Sequence, residues 1–469
     1  MIFSSAEFLY VFLPTVWLGF MLLRCTAQRS DLLVLWLLSA SFVFYARWEV
    51  SDLLLLLAVI AANFGAAKAG HRFRSRGFLI AICVANVAVL AVYKYLPWLF
   101  GGASNRVELL DSLPLGISFF IFQIIAFQVD RYRGTTFTYP LHRFALFVSF
   151  FPQLIAGPIV HGRRLLPQLR TLGQRAIPLS LGLSLLSIGL AKKVLLADTL
   201  APGVDALFAQ PVGSDAVHTL AAAVGYGTQL YCEFSGYADM AVGLGLLFGL
   251  RLPQNFRAPY RATSITDFWR RWHLTLSHFF RDYVYIPMGG NRRGAARRSF
   301  NVLATMLLCG VWHGAGWQFL IWGGLHGLLL ILEGIWRRLR PVWMPESRWL
   351  CRLYSLSLIM MLWILFRSPT VETSTVLYSG LTDLKTTSWP TLWDLIQPVA
   401  RLSTQDSPAI VVLLLSALIL GTLNLRPTAW RWCLKAGPLE RGAVTAILLL
   451  MVGKAMTARP EQPFLYFQF

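Results

Sequence analysis

The chain has 469 residues, 56% of them hydrophobic and 14% charged, where an ordinary soluble protein carries about 25% charged residues. That excludes a soluble fold, which could not hide so much apolar surface. Lys and Arg number 42 against 22 Asp and Glu, a net charge of +20, which in a soluble chain would suggest nucleic acid; here the basic residues collect in short loops between apolar runs, as cytoplasmic loops do, so the expected partner is the lipid bilayer and not a nucleic acid.

Met1 to Glu7 lacks the basic start and the small-residue cleavage site of a secretory signal, so Phe8 to Leu23 reads as a retained span. Apolar runs follow at Leu32 to Tyr45, Leu53 to Ala67 and Phe78 to Tyr93, near the ~20 residues a bilayer requires. Arg24 and Arg29 sit in the first loop, a mixed loop follows (Arg47, Glu49, Asp52), and the next is strongly basic (Lys68, Arg72, Arg74, Arg76); this alternation places the N-terminus outside. Further runs lie at Leu115 to Val129, Phe144 to Val160, Leu179 to Leu190, Ala221 to Tyr231, Ala241 to Leu250, Val302 to Leu332, Leu350 to Phe366, Ile410 to Leu423 and Val444 to Met456. The expected fold is all-α: one polytopic transmembrane bundle over 1–469 with about ten to twelve spans plus re-entrant or interfacial helices, because helices satisfy their own backbone groups in lipid. The stretch from Thr370 to Asp406 is more polar, contains Pro390 and Pro398, and reads as a loop with short interfacial helices. Cys25, Cys83, Cys232, Cys309, Cys351 and Cys433 are scattered singly and read as packing residues.

Between Arg257 and Arg298 lie nine arginines and only two acidic residues, Asp267 and Asp282, among many aromatics. The segment is expected on the cytoplasmic surface, with Phe268, Trp269, Trp272, Phe279, Phe280, Tyr283 and Tyr285 dipping into the interface and arginines reaching outward. Such arginines serve either as a lipid-facing anchor or as a dock for a phosphorylated acyl donor such as a coenzyme A thioester.

Motifs of soluble chemistry are absent: Gly453-Lys454 lacks the rest of a phosphate loop, Gly243-x-Gly245 has the wrong spacing for a dinucleotide site, and Gly182-Leu183-Ser184 is no nucleophile elbow. No histidine pair has the i, i+4 spacing of a helical zinc site, and no metal is expected. Of eight histidines (71, 142, 161, 218, 273, 278, 313 and 326), His313 stands out, in Trp312-His313-Gly314 within the long run after the basic segment. If that helix leaves the cytoplasmic face near Asn301, His313 lies roughly 18 Å into a core about 30 Å thick. An ionisable group there marks function, and Gly310, Gly314, Gly316 and Gly323 nearby leave room either for close helix approach or for a ligand. Histidine suits acyl transfer, since it can take a proton from an attacking hydroxyl and return one to a leaving thiolate; the competing reading is a neutral imidazole hydrogen-bonded in the bundle. His326, in Gly324-Leu325-His326-Gly327, reads as structural, and His273, beside the basic stretch, could orient or gate the donor. Glu233, Ser235, Tyr237 and Asp239 form a polar notch, as do Gln123 and Gln128; such groups need partners and either surround a tunnel or stitch helices together.

These segments resemble the membrane-bound O-acyltransferase family, in its branch of bacterial alginate O-acetyltransferase membrane subunits. The likeness runs through Phe3-Ser4-Ser5 with Phe12-Leu13-Pro14, Leu113 to Phe120, Phe151 to Pro158, and Phe234 to Met240. Asp267 to His273 followed by Arg281 to Pro287, and Trp312-His313-Gly314, carry it most specifically, and Pro463 to Phe469 also looks like that branch. The resemblance implies a ring of helices around a central tunnel, a catalytic core over 110–335, and a bacterial inner-membrane location. It also implies His313 and His273 as the catalytic histidines, with Arg270, Arg271, Trp272, Trp312, Asp267, Arg281, Asp282, Tyr237 and Asp239 binding the donor or lining the tunnel. Acetyl-CoA is the implied donor substrate, with no bound cofactor. The implied partners are a periplasmic serine-containing, SGNH-hydrolase-like protein that relays acetyl, and the polysaccharide synthase and secretion complex. Cys232-Glu233-Phe234 and Ala126-Phe127 depart from the alginate pattern, which points to a relative of the alginate protein, for which another exopolysaccharide, cellulose being the leading candidate, fits as well as alginate or slightly better. Two other readings are a transporter for an acyl carrier or glycan, disfavoured because the histidines concentrate in one region, and an acyltransferase acting on a protein or lipid.

Overall fold

Backbone groups surrounded by lipid must bond within their own segment, and the computed structural model meets that demand with helices alone: no strand occurs among the described residues. These are residues 1–26, 29–72, 75–99, 113–135, 139–209, 211, 215–339, 347–382, 408–425, 428–458, 462, 464 and 465. Among them seven helices are long and apolar enough to cross a membrane: Glu7–Thr26, Val50–Gly70, Arg76–Leu99, Leu179–Ala209, Trp317–Leu339, Arg348–Arg367 and Pro438–Ala458. Two shorter apolar helices, Ser30–Ala46 and Ala409–Leu423, accompany them. The protein is a multi-pass membrane protein. Of the motif Pro463 to Phe469, only Phe464 and Leu465 fall among the described residues.

The chain divides into two compact units. The first comprises Met1–Leu190, Tyr237–Gln254 and Cys433–Phe467. Here the apolar run Phe144 to Val160 is not one helix. Helix Leu141–Ser149 stops at an extended Phe150 and a single turn Phe151–Leu154 follows, because Pro152 has no N–H to continue the ladder. Every residue from Phe144 to Gly162 is buried, so this run is apolar because it packs inside protein. Phe151 meets Phe12 and Phe44 at ring-centroid distances of 5.4 and 5.6 Å. The glutamines of this unit stitch helices together: Gln123 Nε2 donates to the Phe147 carbonyl at 2.6 Å, and Gln128 Nε2 to the Asn63 carbonyl at 2.9 Å. Asn63 in turn exchanges amide hydrogen bonds of 2.9 Å with Asn86.

The second unit comprises Ala191–Gly236, Asn255–Trp432 and Gln468–Phe469. Its run Val302 to Leu332 is a helical hairpin, Gly294–His313 and Trp317–Leu339, reversing at Gly314. The two helices touch backbone to backbone: a Cβ on Gly310 would lie 2.2 Å from the Phe319 carbonyl oxygen, and one on Gly323 would lie 2.3 Å from that of Met306. The glycines at 310 and 323 thus serve close approach, and a Cβ on Gly314 would strike the Phe319 ring at 2.1 Å.

The basic segment folds as short helices, Ile265–Trp269 and Leu274–Phe280, followed by the π-helical turn Arg281–Tyr285. Phe268, Trp272, Phe279 and Phe280 are buried in the protein, not inserted into the lipid interface as their aromatic character suggested. Trp272 packs against Trp363 and Phe256, both with centroids 5.0 Å away. Within Thr370 to Asp406 the chain forms a helix, Val371–Gly380, whose Thr370 side chain accepts from the Thr373 N–H; residues 383–407, including Pro390 and Pro398, lie outside the described residues.

Candidate active site

His313 is the last residue of the first hairpin helix. Three aromatic rings stand edge-on around it: Trp312 at 4.8 Å, Trp322 at 5.1 Å and Phe366 at 5.1 Å between centroids. The hairpin supplies the two tryptophans, and helix Arg348–Arg367 supplies the phenylalanine. Edge-to-face packing fixes ring orientation. His313 retains 5% of its surface exposed, while His273 and His326 retain 0% and 1%.

His273 precedes helix Leu274–Phe280 in the left-handed region, at φ 42° and ψ 55°. A non-glycine residue there costs about 1–3 kcal/mol, and such strain concentrates at functional sites. Its ring meets Phe234 edge-on at 4.7 Å and lies 6.1 Å from Trp312, so a single indole stands between His273 and His313. Asn255 accepts at 3.2 Å from its Nδ1. Burial pulls the imidazole far below its ordinary value, to about 3, opposed only by its own carbonyl, which keeps it neutral at physiological pH.

His326 closes the row. Trp269 Nε1 donates to His326 Nδ1 at 3.3 Å, and the Trp322 ring that borders His313 lies 4.6 Å from His326. Three histidines of the second unit, 273, 313 and 326, are thereby joined through Trp312 and Trp322.

Residues 2–368 match the sequence model of the family described as MBOAT, membrane-bound O-acyltransferase family. The chain belongs to that family. As a membrane-bound O-acyltransferase it is an enzyme that moves an acyl group, and its relatives include a peptidoglycan O-acetyltransferase of Helicobacter pylori, 36% identical over 82% of this chain and 80% of the relative. A probable alginate O-acetylase of Pseudomonas putida is 35% identical over the full length of both chains. Another, from Pseudomonas fluorescens, is 40% identical over 81% of this chain and 75% of its own.

The remaining residues singled out in the acyltransferase sequence divide by location. Trp272 and Trp312 are buried in the ring cluster. Asp267 is occupied with the local fold: its Oδ1 pairs with Arg271 Nε at 2.9 Å, and its backbone N–H donates to Ser264 Oγ at 3.0 Å. Arg281 forms a two-point pair with Asp282, at 2.7 and 3.1 Å, which raises the guanidinium pKa further. Arg270 is exposed. Tyr237 and Asp239 fall in the first unit, where Tyr237 stacks on Phe3 at 4.7 Å and packs on Phe464 at 5.1 Å. Of the other histidines, His142 meets Asp31 at 2.8 Å and His218 meets the Leu207 carbonyl at 2.9 Å, and the side chain of His71 lies outside the described residues.

Two features carried no motif. Asn255 lies 18 positions from His273 in an irregular stretch. Lys192 and Lys193 sit in a π-helical turn, Ala191–Ala197, and supply what the polar notch needs: Lys193 Nζ reaches Asp198 at 2.6 Å and Glu233 at 2.7 Å, and Lys192 Nζ donates to Ser235 Oγ at 3.3 Å. Two lysines inside an otherwise apolar run were the available signal.

Proposed function

We propose that the protein transfers acetyl from cytosolic acetyl-CoA across the bacterial inner membrane for O-acetylation of an extracytoplasmic polysaccharide. The observation that carries this reading is His313, held by three rings at the tip of the hairpin and buried but for 5% of its surface, with His273 one indole away. In the reaction the His313 lone pair takes the proton of the acceptor hydroxyl as its oxygen bonds to the thioester carbonyl carbon. The carbon–sulfur bond breaks, and the thiolate takes that proton back from the imidazolium. No net proton is consumed.

His273 serves the donor side. It is fully buried, so the thioester arm reaches it only when neighbouring rings move. Exposed arginines of the cytoplasmic segment, Arg270 among them, attract the donor's phosphates. The catalytic chemistry falls within 110–335. The acceptor is an alginate-type polymer or cellulose, reached through a periplasmic SGNH-hydrolase-like serine protein working with the synthase and secretion complex, and the N-terminus faces the periplasm. The curated relatives act, by name, on alginate and on peptidoglycan, which favours the alginate-type polymer over cellulose.

The test is His313→Ala in cells making the polymer, with the amount of membrane-inserted protein verified. Polymer acetylation should fall at least a hundredfold, the scale of losing a general acid–base group. Wild-type acetylation would remove the proposal.

A further inference from the structure

The amide of Asn255 can present oxygen or nitrogen to His273, and the two choices dictate opposite tautomers. Thr275 decides between them. Its backbone N–H, which can only donate, points at the same Asn255 atom at 3.2 Å, and its hydroxyl lies 3.0 Å from that atom. Reversing the amide would set an NH2 group against a backbone N–H. The shared atom is therefore the oxygen, the Nδ1 that meets it at 3.2 Å must donate, and the proton of the neutral ring resides on Nδ1. The main chain reinforces this: Leu274 N donates to the Asn255 carbonyl at 2.9 Å, so Asn255 grips 273, 274 and 275 in succession and holds His273 in its left-handed conformation.

We infer that Asn255 is a positioning residue that locks His273 in the Nδ1–H tautomer, so that Nε2 presents a lone pair and accepts a hydrogen bond from an amide N–H of the pantetheine arm of the acyl donor. This rests on the reading that His273 serves the donor side. An imidazole locked in this way cannot hand a proton to the leaving thiolate until it has first accepted one, which leaves the proton transfers to His313. The ionisable groups next in the chain to the rings packed on His273 include Glu233, which adjoins Phe234 and is held by Lys193, His313, which adjoins Trp312, and Arg257, which adjoins Phe256.

The kinetic test uses the full chain in membrane vesicles with acetyl-CoA as the probe and rates normalised to folded protein. Asn255→Ala should raise the KM for acetyl-CoA about tenfold, the scale of one hydrogen bond, with a smaller change in kcat. Asn255→Asp keeps the acceptor oxygen and should restore KM. Its carboxylate stabilises the imidazolium, however, so the acid limb of kcat/KM should move up by about one to three pH units. A residue that only filled space would fail in both variants alike. Wild-type KM in Asn255→Ala, or an Asp variant as impaired as the Ala variant, would overturn the inference. If His273→Ala itself leaves KM unchanged, the donor-side reading fails whatever happens at Asn255. Nitrogen NMR of protein carrying isotope-labelled histidine, assigned by its difference from His273→Ala, reads the tautomer without any change at Asn255; a protonated Nε2 in the native protein would also overturn the inference.

Discussion

The second unit buries ionisable groups in two ways. Around Lys193 it buries formal charge and compensates it at short range, with Asp198 and Glu233 at 2.6 and 2.7 Å. Around His313 it buries imidazoles among indole and phenyl rings. A buried charge must be paired because desolvation costs several kcal/mol per ion, and the pairing commits its atoms to structure. A neutral imidazole carries no such obligation, so one nitrogen can be spent on orientation and the other kept for chemistry. Changes in the lysine cluster should therefore reduce folded protein, and changes among the histidines should reduce rate.

The largest effect expected on this contrast is at Lys193. Lys193→Met leaves the carboxylates of Asp198 and Glu233 without the ammonium they share and should destabilise the fold by about 3–5 kcal/mol, seen as a lower unfolding temperature in detergent and less protein in the membrane. Removing all the charge together, as Lys193→Met with Asp198→Asn and Glu233→Gln, should be less damaging than the single change, because no ion is left unpaired. A triple variant that folds normally but transfers no acetyl would break the contrast, since the charges would then belong to the reaction.

A smaller effect is expected where the hairpin closes. Gly310→Ala would place its Cβ 2.2 Å from the Phe319 carbonyl oxygen, and the helices must part to admit it. Overpacking of this kind costs about 1–3 kcal/mol, and it should also lower transfer because His313 lies one turn further along the same helix. Gly324→Ala is the control: its Cβ would meet only a Leu307 methyl at 3.4 Å, and both stability and rate should stay near wild type.

What the sequence disclosed depended on whether a signal was local. His313 and His273 stand out as candidates because tryptophan, glycine and arginine neighbours mark them within a few residues. The helical membrane class was legible from the apolar runs. Asn255 was not, because its role arises when an irregular stretch folds back on 273–275. Lys193 was hidden for a related reason: it answers Glu233, 40 positions away, from another helix. The run Phe144 to Val160 misled in the opposite sense, since apolarity alone does not separate lipid-facing from protein-facing burial, and Pro152 breaks it. Tyr237 and Glu233 share one motif and one 32-residue helix, Ala216–Leu247, yet the division between units falls between them at Gly236.

The smallest and most discriminating effect concerns His326. It occupies the same row of rings as His313, but its Nδ1 accepts from Trp269, and its ring stacks on Phe268, 8° from parallel at 6.5 Å. If it only braces Trp322 against His313, His326→Phe should keep the stacking, lose one hydrogen bond worth about 0.5–1.5 kcal/mol, and leave kcat within a few-fold of wild type. His326→Ala, which also removes the ring that meets Trp322 edge-on at 4.6 Å, should cost more in both stability and rate, because Trp322 would then lose its nearest ring neighbour. The order wild type, Phe, Ala in unfolding temperature, matched by the same order in kcat, identifies a brace. A Phe variant that unfolds normally but has lost transfer as completely as His313→Ala would instead place His326 in the chemistry, and the row would then hold three working imidazoles, with Trp322 separating two of them.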